Sequence, residues 1–232
     1  MNITSVGLIT YHYPHLKTEQ VLQRLLHRPY RYRMYALPFN PRTPRRTVVA
    51  HRPEQSNAVA PEILAARHGI PYVVCRKDTD IDGSCDVYLI LGAGILSPAC
   101  VSGKSIVNCH PGILPASRGL DSFKWAIDEM KPLGVTLHYI DVEVDAGEII
   151  AVVSTNVYVT DSLTTLARRH YENEIACLAD FDVMLEHPQN EFAGMEAGQA
   201  RMRMPPDREQ ALMGRLPAYL ETYGARVPPP TR

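Results

Sequence analysis

KSIVNCHPGILPASRG, residues 104–119, passes from an apolar strand pattern into a loop of prolines and glycines, and carries an amide, an imidazole and a guanidinium across that transition. In a strand, side chains two apart share a face, so Asn108 and His110 project together while Cys109 points the other way into packing. Pro111, Gly112 and Pro115 then end the strand in an irregular loop. Open α/β sheets hold their ligands at the carboxyl edge of the strands, which is where this pair is presented. A lone Asn-x-His at such a place is more often a turn-capping amide beside a solvated histidine than a catalytic pair.

Around this stretch, short β-rich runs alternate with helical-period segments. "ITSVGLIT" precedes a helix over 17–27; "YRMYALPF" precedes one over 57–68; "IPYVVC", "DVYLILGAG" and "KSIVNCH" follow. That rhythm predicts βαβ units and an α/β fold with a mostly parallel twisted sheet flanked by helices. Pro61 belongs in the first turn of its helix, where a missing amide donor is tolerated. Residues 134–159 read as two extended segments joined across Asp145-Ala146-Gly147. A long helix is expected over 161–186, capped by Asp161 or Ser162, with Leu163, Leu166, Tyr171, Ile175, Leu178, Phe181 and Met184 as its apolar stripe. Trp125 reads as core on a helix with Phe123 and Ile127. Composition changes near 188, so the expected division is a main domain over 1–187 and a C-terminal extension over 188–232, with one short helix near 206–222 and a Pro-rich tail.

The 232 residues are 45 % hydrophobic, enough for one full α/β core. With 24 basic and 25 acidic side chains the formal charge is -1, so no global field draws the chain to nucleic acid or to an anionic membrane. The five cysteines (75, 85, 100, 109 and 177) show no CxxC spacing and read as reduced, buried thiols of a cytoplasmic protein. No apolar run reaches membrane-spanning length, and the N-terminus has no basic region leading into one, so neither secretion nor membrane insertion is expected. The tail after 188 is the expected interface material for a homodimer.

An amide beside an imidazole suits a carbonyl whose oxygen becomes an oxyanion during acyl transfer. Such chemistry needs a carboxylate to charge the imidazole and take up a proton, and Asp145 in the "VDAG" turn is the candidate. "NCHPGILPASRG" followed by "GVTLHYIDVEVDAGEII" resembles the active-site signature of the folate-dependent formyltransferases. Asn108, His110, Pro111, Leu114, Pro115, Arg118, Gly119, Asp145 and Gly147 occur in the family's order, and the match covers about residues 85–155.

The resemblance implies a Rossmann-like formyltransferase core that uses N10-formyltetrahydrofolate as co-substrate, with no metal. Asn108 and His110 would polarise the formyl carbonyl, and Asp145 would pair with His110 and accept the incoming amine's proton. The pterin would lie against Gly92, Ala93, Gly94, Ile95 and Leu96, and against Ile140, Val142 and Val144. The two glycines fit equally an ordinary strand-to-loop exit. Substrate contacts are expected from Tyr11, His12, Arg52, Pro111, Gly112, Arg118, Gly119 and His138. His138 reads either as a site residue or as a hydrogen-bonded core histidine.

Among formyl acceptors, a glycinamide ribonucleotide calls for a Gly-rich phosphate loop, and no glycine follows Gly7 in "LITYHYPHLKTEQ". A transfer RNA calls for a separate C-terminal domain of about 100 residues and a basic imprint; with 44 residues after 188 and a formal charge of -1, it is not the expected acceptor. The remaining subgroup is similar to sugar N-formyltransferases, whose acceptor is a nucleotide-linked amino sugar. Arg42, Arg45, Arg46 and Arg52 could hold its diphosphate, or the first three could sit in a solvated loop. A glycinamide ribonucleotide enzyme and an inactive folate- or nucleotide-binding module are the alternatives.

Overall fold

SVGLITY forms β1 (Ser5–Tyr11), and its five interior residues are buried on both faces, the pattern of a strand covered by helices above and below. The computed structural model describes residues 3–41, 47–141, 147–189 and 194–226. It continues with α1 (Leu16–Leu25), β2 (Arg31–Leu37), α2 (Pro61–Arg67), β3 (Tyr72–Val74), β4 (Val87–Ile90) and α3 (Pro98–Val101). Next come β5 (Ile106–His110), α4 (Ser122–Asp128), β6 (Gly134–Tyr139), β7 (Ile149–Ser154), α5 (Leu163–Ala179), α6 (Phe181–Glu186) and α7 (Pro206–Tyr223).

Among the described residues the strands make one seven-stranded sheet in the order β3-β2-β1-β4-β5-β6-β7. The pairings from β3 to β5 are parallel, as expected, and β6 and β7 close the sheet antiparallel. One face packs on α1 and α5: Leu8, Leu89, Val107, Cys109 and Leu137 share a core with Leu22, Tyr171 and Leu178. Ile9, Tyr88 and Ile106 lie on the other face, in a core with Leu96 and Cys100. Alternation from Ile106 therefore assigns Asn108 and His110 to this second face.

The expected helix over 57–68 is the shorter α2. Ala60, at φ -59 and ψ 136, is extended because the ring of Pro61 disfavours helical backbone before it. The expected helix over 161–186 begins at the Ser162 cap, whose hydroxyl accepts from the Thr165 amide, but it breaks at Asp180 into α5 and α6. Its stripe from Leu163 to Phe181 is buried, and Met184 is half-buried.

The helix expected near 206–222 is α7, an 18-residue element within one residue of those bounds. Leu212, Leu216 and Tyr219 on it are buried with Phe123, Trp125 and Ile127 of α4 in a third core. It is long because its apolar residues have α4 to cover. Cys75, Cys100, Cys109 and Cys177 are buried and Cys85 is half-buried, all as free thiols. No helix among the described residues is long and apolar enough to cross a membrane.

Candidate active site

β5 ends where the antiparallel β6 passes it, and the register sets Asn108 opposite His138 and His110 opposite Thr136. The Asn108 amide nitrogen lies 3.3 Å from His138 Nε2. The other ring nitrogen, Nδ1, is 2.9 Å from the Tyr139 carbonyl oxygen and must donate to it. His138 is buried, and its Nε2 stands against the Asn108 amide nitrogen and orients the amide. The second N–H of Asn108 has no partner among the described residues. The rings of His110 and His138 meet edge-on, 6.4 Å apart between centroids. Of the two readings of His138, the structure shows the hydrogen-bonded core histidine, and its partner is the candidate catalytic amide.

His110 is also buried. Its Nε2 donates to the Ser117 carbonyl at 2.8 Å, and the Ser122 hydroxyl stands 3.2 Å away. The loop that follows is folded around this ring. A Cβ on Gly112 would meet the Ser117 carbonyl at 2.8 Å and Ser122 Cβ at 2.9 Å, so the absence of a side chain there serves the turn itself. Thr136 donates to the Gly112 carbonyl (2.7 Å) and accepts from the Leu114 amide (3.0 Å). The Leu114–Pro115 bond is cis.

His170 of α5 reaches the Pro111 carbonyl with Nε2 at 3.3 Å, while Thr155 partners its Nδ1 at 2.9 Å. Burial lowers the His170 pKa to about 4 despite the opposing charge of Glu174. His170 therefore acts as a neutral donor that fixes the peptide next to His110. Sequence reasoning passed over it, although it stands four residues after Leu166 on the α5 stripe.

Three expected pterin residues are brought together: Ala93, Leu96 and Ile140 share the core on the second face. Gly92 is crowded by Tyr11 and His15, whose rings would lie 2.9–3.0 Å from an added Cβ, whereas the space around Gly94 is open. Ile95 is 82 % exposed. Asp145, Val142, Val144 and Arg42, Arg45 and Arg46 lie outside the described residues.

The expected substrate residues divide. Tyr11 packs edge-on against His15 and Phe39 at the strand ends. The His12 side chain is held toward the sheet edge. It bonds the Tyr72 hydroxyl at 2.7 Å and lies 3.4 Å from Glu62, beside the edge strand β3. That strand is four places from β5, about 19 Å at the usual strand spacing. Gly119, at φ +91, holds the C-terminal segment: the Arg201 amide donates to Arg118 and the Leu120 amide donates to Arg201, and a side chain at 119 would collide with the Arg201 backbone.

Arg52 gives the Glu174 carboxylate a 2.6 Å contact, and Lys17 takes the other oxygen at 2.7 Å. Glu174 is fully buried. Burial would raise its pKa, but the charges of Arg52 and Lys17 hold it down to about 2. This ionic centre also escaped sequence reasoning. Its signal was a charged residue four after His170 and one before Ile175, on the buried stripe.

An α/β sheet with an amide and an imidazole side by side at the carboxyl end of a middle strand is a scaffold for handling a carbonyl compound. Residues 88–181 match the Formyl transferase family model. It is 29 % identical over 147 residues to formyltetrahydrofolate deformylase 1, mitochondrial, of Arabidopsis thaliana, covering 56 % of this chain and 44 % of that protein. It is 37 % identical over 73 residues to phosphoribosylglycinamide formyltransferase of Bacillus subtilis, covering 31 % and 37 %. The chain thus spans less than half the length of these curated relatives. A 4-N formyltransferase from Francisella tularensis shares the fold with a TM-score of 0.60 at 14 % identity, covering 91 % and 87 % of the two chains. A sugar N-formyltransferase from a Shewanella species does so at 0.57 and 16 %, with the same coverage. Phosphoribosylglycinamide formyltransferase from Campylobacter jejuni also gives 0.57, at 18 %, covering 80 % and 100 %. Among the described residues, no cluster of three or more His, Cys, Asp or Glu could hold a metal ion.

Proposed function

We propose that this chain transfers the formyl group of N10-formyltetrahydrofolate to the amino group of a nucleotide-linked amino sugar. The observation that carries the reading is the placement of Asn108 and His110 on one sheet face at the end of β5, with the Asn108 amide oriented by His138. The unshared N–H of Asn108 donates to the formyl oxygen and strengthens that bond as the oxygen becomes an oxyanion. With Nε2 of His110 committed to Ser117, the ring acts through Nδ1.

A neutral amine attacks the formyl carbon, the bond from carbon to N10 breaks, and N10 leaves with a proton. Asp145 takes the proton shed by the amine, and that proton is passed on to N10 as it leaves. Ala93, Leu96 and Ile140 form the apolar side against which the pterin rests. The Rossmann-like fold shared with solved sugar N-formyltransferases is compatible with this acceptor, and the missing glycine-rich loop after β1 favours it over a glycinamide ribonucleotide.

The test is turnover of N10-formyltetrahydrofolate with a panel of dTDP-, GDP- and UDP-linked amino sugars and glycinamide ribonucleotide, together with a reaction lacking any amine. Formylation of an amino sugar is expected, and Asn108→Ala should lower kcat by about 10²–10³. Formylation of glycinamide ribonucleotide alone would replace the acceptor; formate release without an amine would replace transfer by hydrolysis. Folate binding with no turnover would leave a binding module.

A further inference from the structure

A groove of about 730 Å³ runs between α1, the strap at 50–53 and α5. Its volume falls in the range of small-molecule sites, about 300–1,000 Å³. Ala167, Tyr171 and Ile175 are buried beneath it and give it an apolar floor. Three guanidinium groups line it, from Arg24, Arg52 and Arg168, against one carboxylate, Glu172.

Arg24 has no ion pair among the described residues. Arg168 meets Glu172 at 2.8 Å, but both side chains are exposed, at 79 % and 51 %, so a stronger anion can displace that pair. Arg52 is anchored to Glu174 through one terminal nitrogen and keeps other donors. Gln20 Oε1, in the same groove, is buried without a hydrogen-bond partner. An acceptor atom in that state calls for a ligand hydroxyl or N–H.

We propose that this groove binds the nucleoside diphosphate portion of the acceptor, with the phosphates on Arg24, Arg52 and Arg168 and a donor of the nucleoside on Gln20. This inference rests on the formyl-transfer reading above. Position supports it as well as charge. Ala93, Leu96 and Ile140 belong to one face of the sheet, and α1 and α5 cover the other, so the two substrates approach the strand ends from opposite sides. His51 lines the groove, stacks on Phe123 at 6.0 Å and stands 3.9 Å from Asp121. The next residue, Ser122, reaches His110. The groove therefore leads toward the formyl site through the start of α4. Neither Arg24 nor Arg168 belongs to a motif, and only the packing of α1 on α5 brings them together.

Calorimetric titration with dTDP, UDP, GDP and inorganic diphosphate tests this, with 5-formyltetrahydrofolate titrated in parallel. At least one nucleotide should bind, more tightly than diphosphate. The double substitution Arg24→Gln with Arg168→Gln, both at exposed side chains, should weaken it tenfold or more and leave folate affinity within twofold. In the unaltered protein, nucleotide affinity should also fall as salt is raised. Nucleotide affinity untouched by the substitutions, or diphosphate binding as tightly as any nucleotide, would overturn the assignment. Folate binding with no nucleotide bound removes the groove and leaves formyl transfer standing; failure of both ligands to bind removes both.

Discussion

Glu174 shows how much one residue decides. Its two oxygens bind Lys17, which lies 157 residues away in sequence, and Arg52 of the strap, in a place water barely reaches. Removing one partner of a buried ion pair strands the other, which costs about 3–5 kcal/mol, whereas an apolar replacement of the whole pair is often neutral. Glu174→Ala should therefore destabilise the protein by several kcal/mol, and Lys17→Met combined with Glu174→Leu should recover most of the loss. Urea denaturation of the two variants measures this, and a double variant no more stable than Glu174→Ala would refute the account. The ionic centre illustrates a limit on reading residues from sequence. Periodicity marks 174 as a buried position, but the partners that make a charge tolerable there come from other elements. Asn108 and His110 were legible because their relation is local, two places along one strand. The relation of Asn108 to His138 was not, because it depends on the antiparallel register of β6 against β5.

At the scale of elements, the strands and the helices α1, α2 and α5 were readable from periodicity, since each buries a face dictated by its own repeat. The bounds of α7 were readable too, but the break at Asp180 was not, because it is set by the surface the helix packs on. α7 places Glu209 in full burial, where its carboxylate binds Lys124 Nζ at 2.7 Å and the amides of Val48 and Val49 at 2.8 and 3.3 Å. One side chain thus ties three things: α7, the helix α4 that begins at the His110 partner Ser122, and the strap that carries His51 and Arg52. Glu209→Ala leaves a buried ammonium and two amides without their acceptor. Amide hydrogen exchange over 47–53 should quicken strongly in this variant, and global stability should fall by about 3–5 kcal/mol. If the variant were destabilised while exchange at 47–53 kept its relation to the rest of the chain, Glu209 would be a brace for α7 alone.

The whole molecule carries a signature of buried imidazoles. Burial, with the nearby charges of Lys17 and Arg52, lowers the pKa of His15 to about 4; burial, with Arg52 and Lys124, lowers that of His51 to about 3. His170 adds a third, at about 4. Each is depressed in the folded state, so below the ordinary histidine value near 6.5 the unfolded chain takes up protons that the folded chain refuses. Stability must therefore fall as pH drops from about 6.5 toward 4, by up to about 1.4 kcal/mol per pH unit for each such site. Glu174 acts in a lower window: its carboxyl, held at about 2 when folded, favours folding above its ordinary value near 4.5, and that contribution is lost as pH falls from there toward 2. Thermal unfolding followed from pH 7 to pH 3 should show the melting temperature descending through both windows. His51→Gln should flatten the descent from about pH 6.5 down to about 3, because an amide at 51 has no proton to gain on unfolding. An upper slope identical in the variant and the parent chain would show that His51 titrates alike in the folded and unfolded states, and that the strap leaves it open to water.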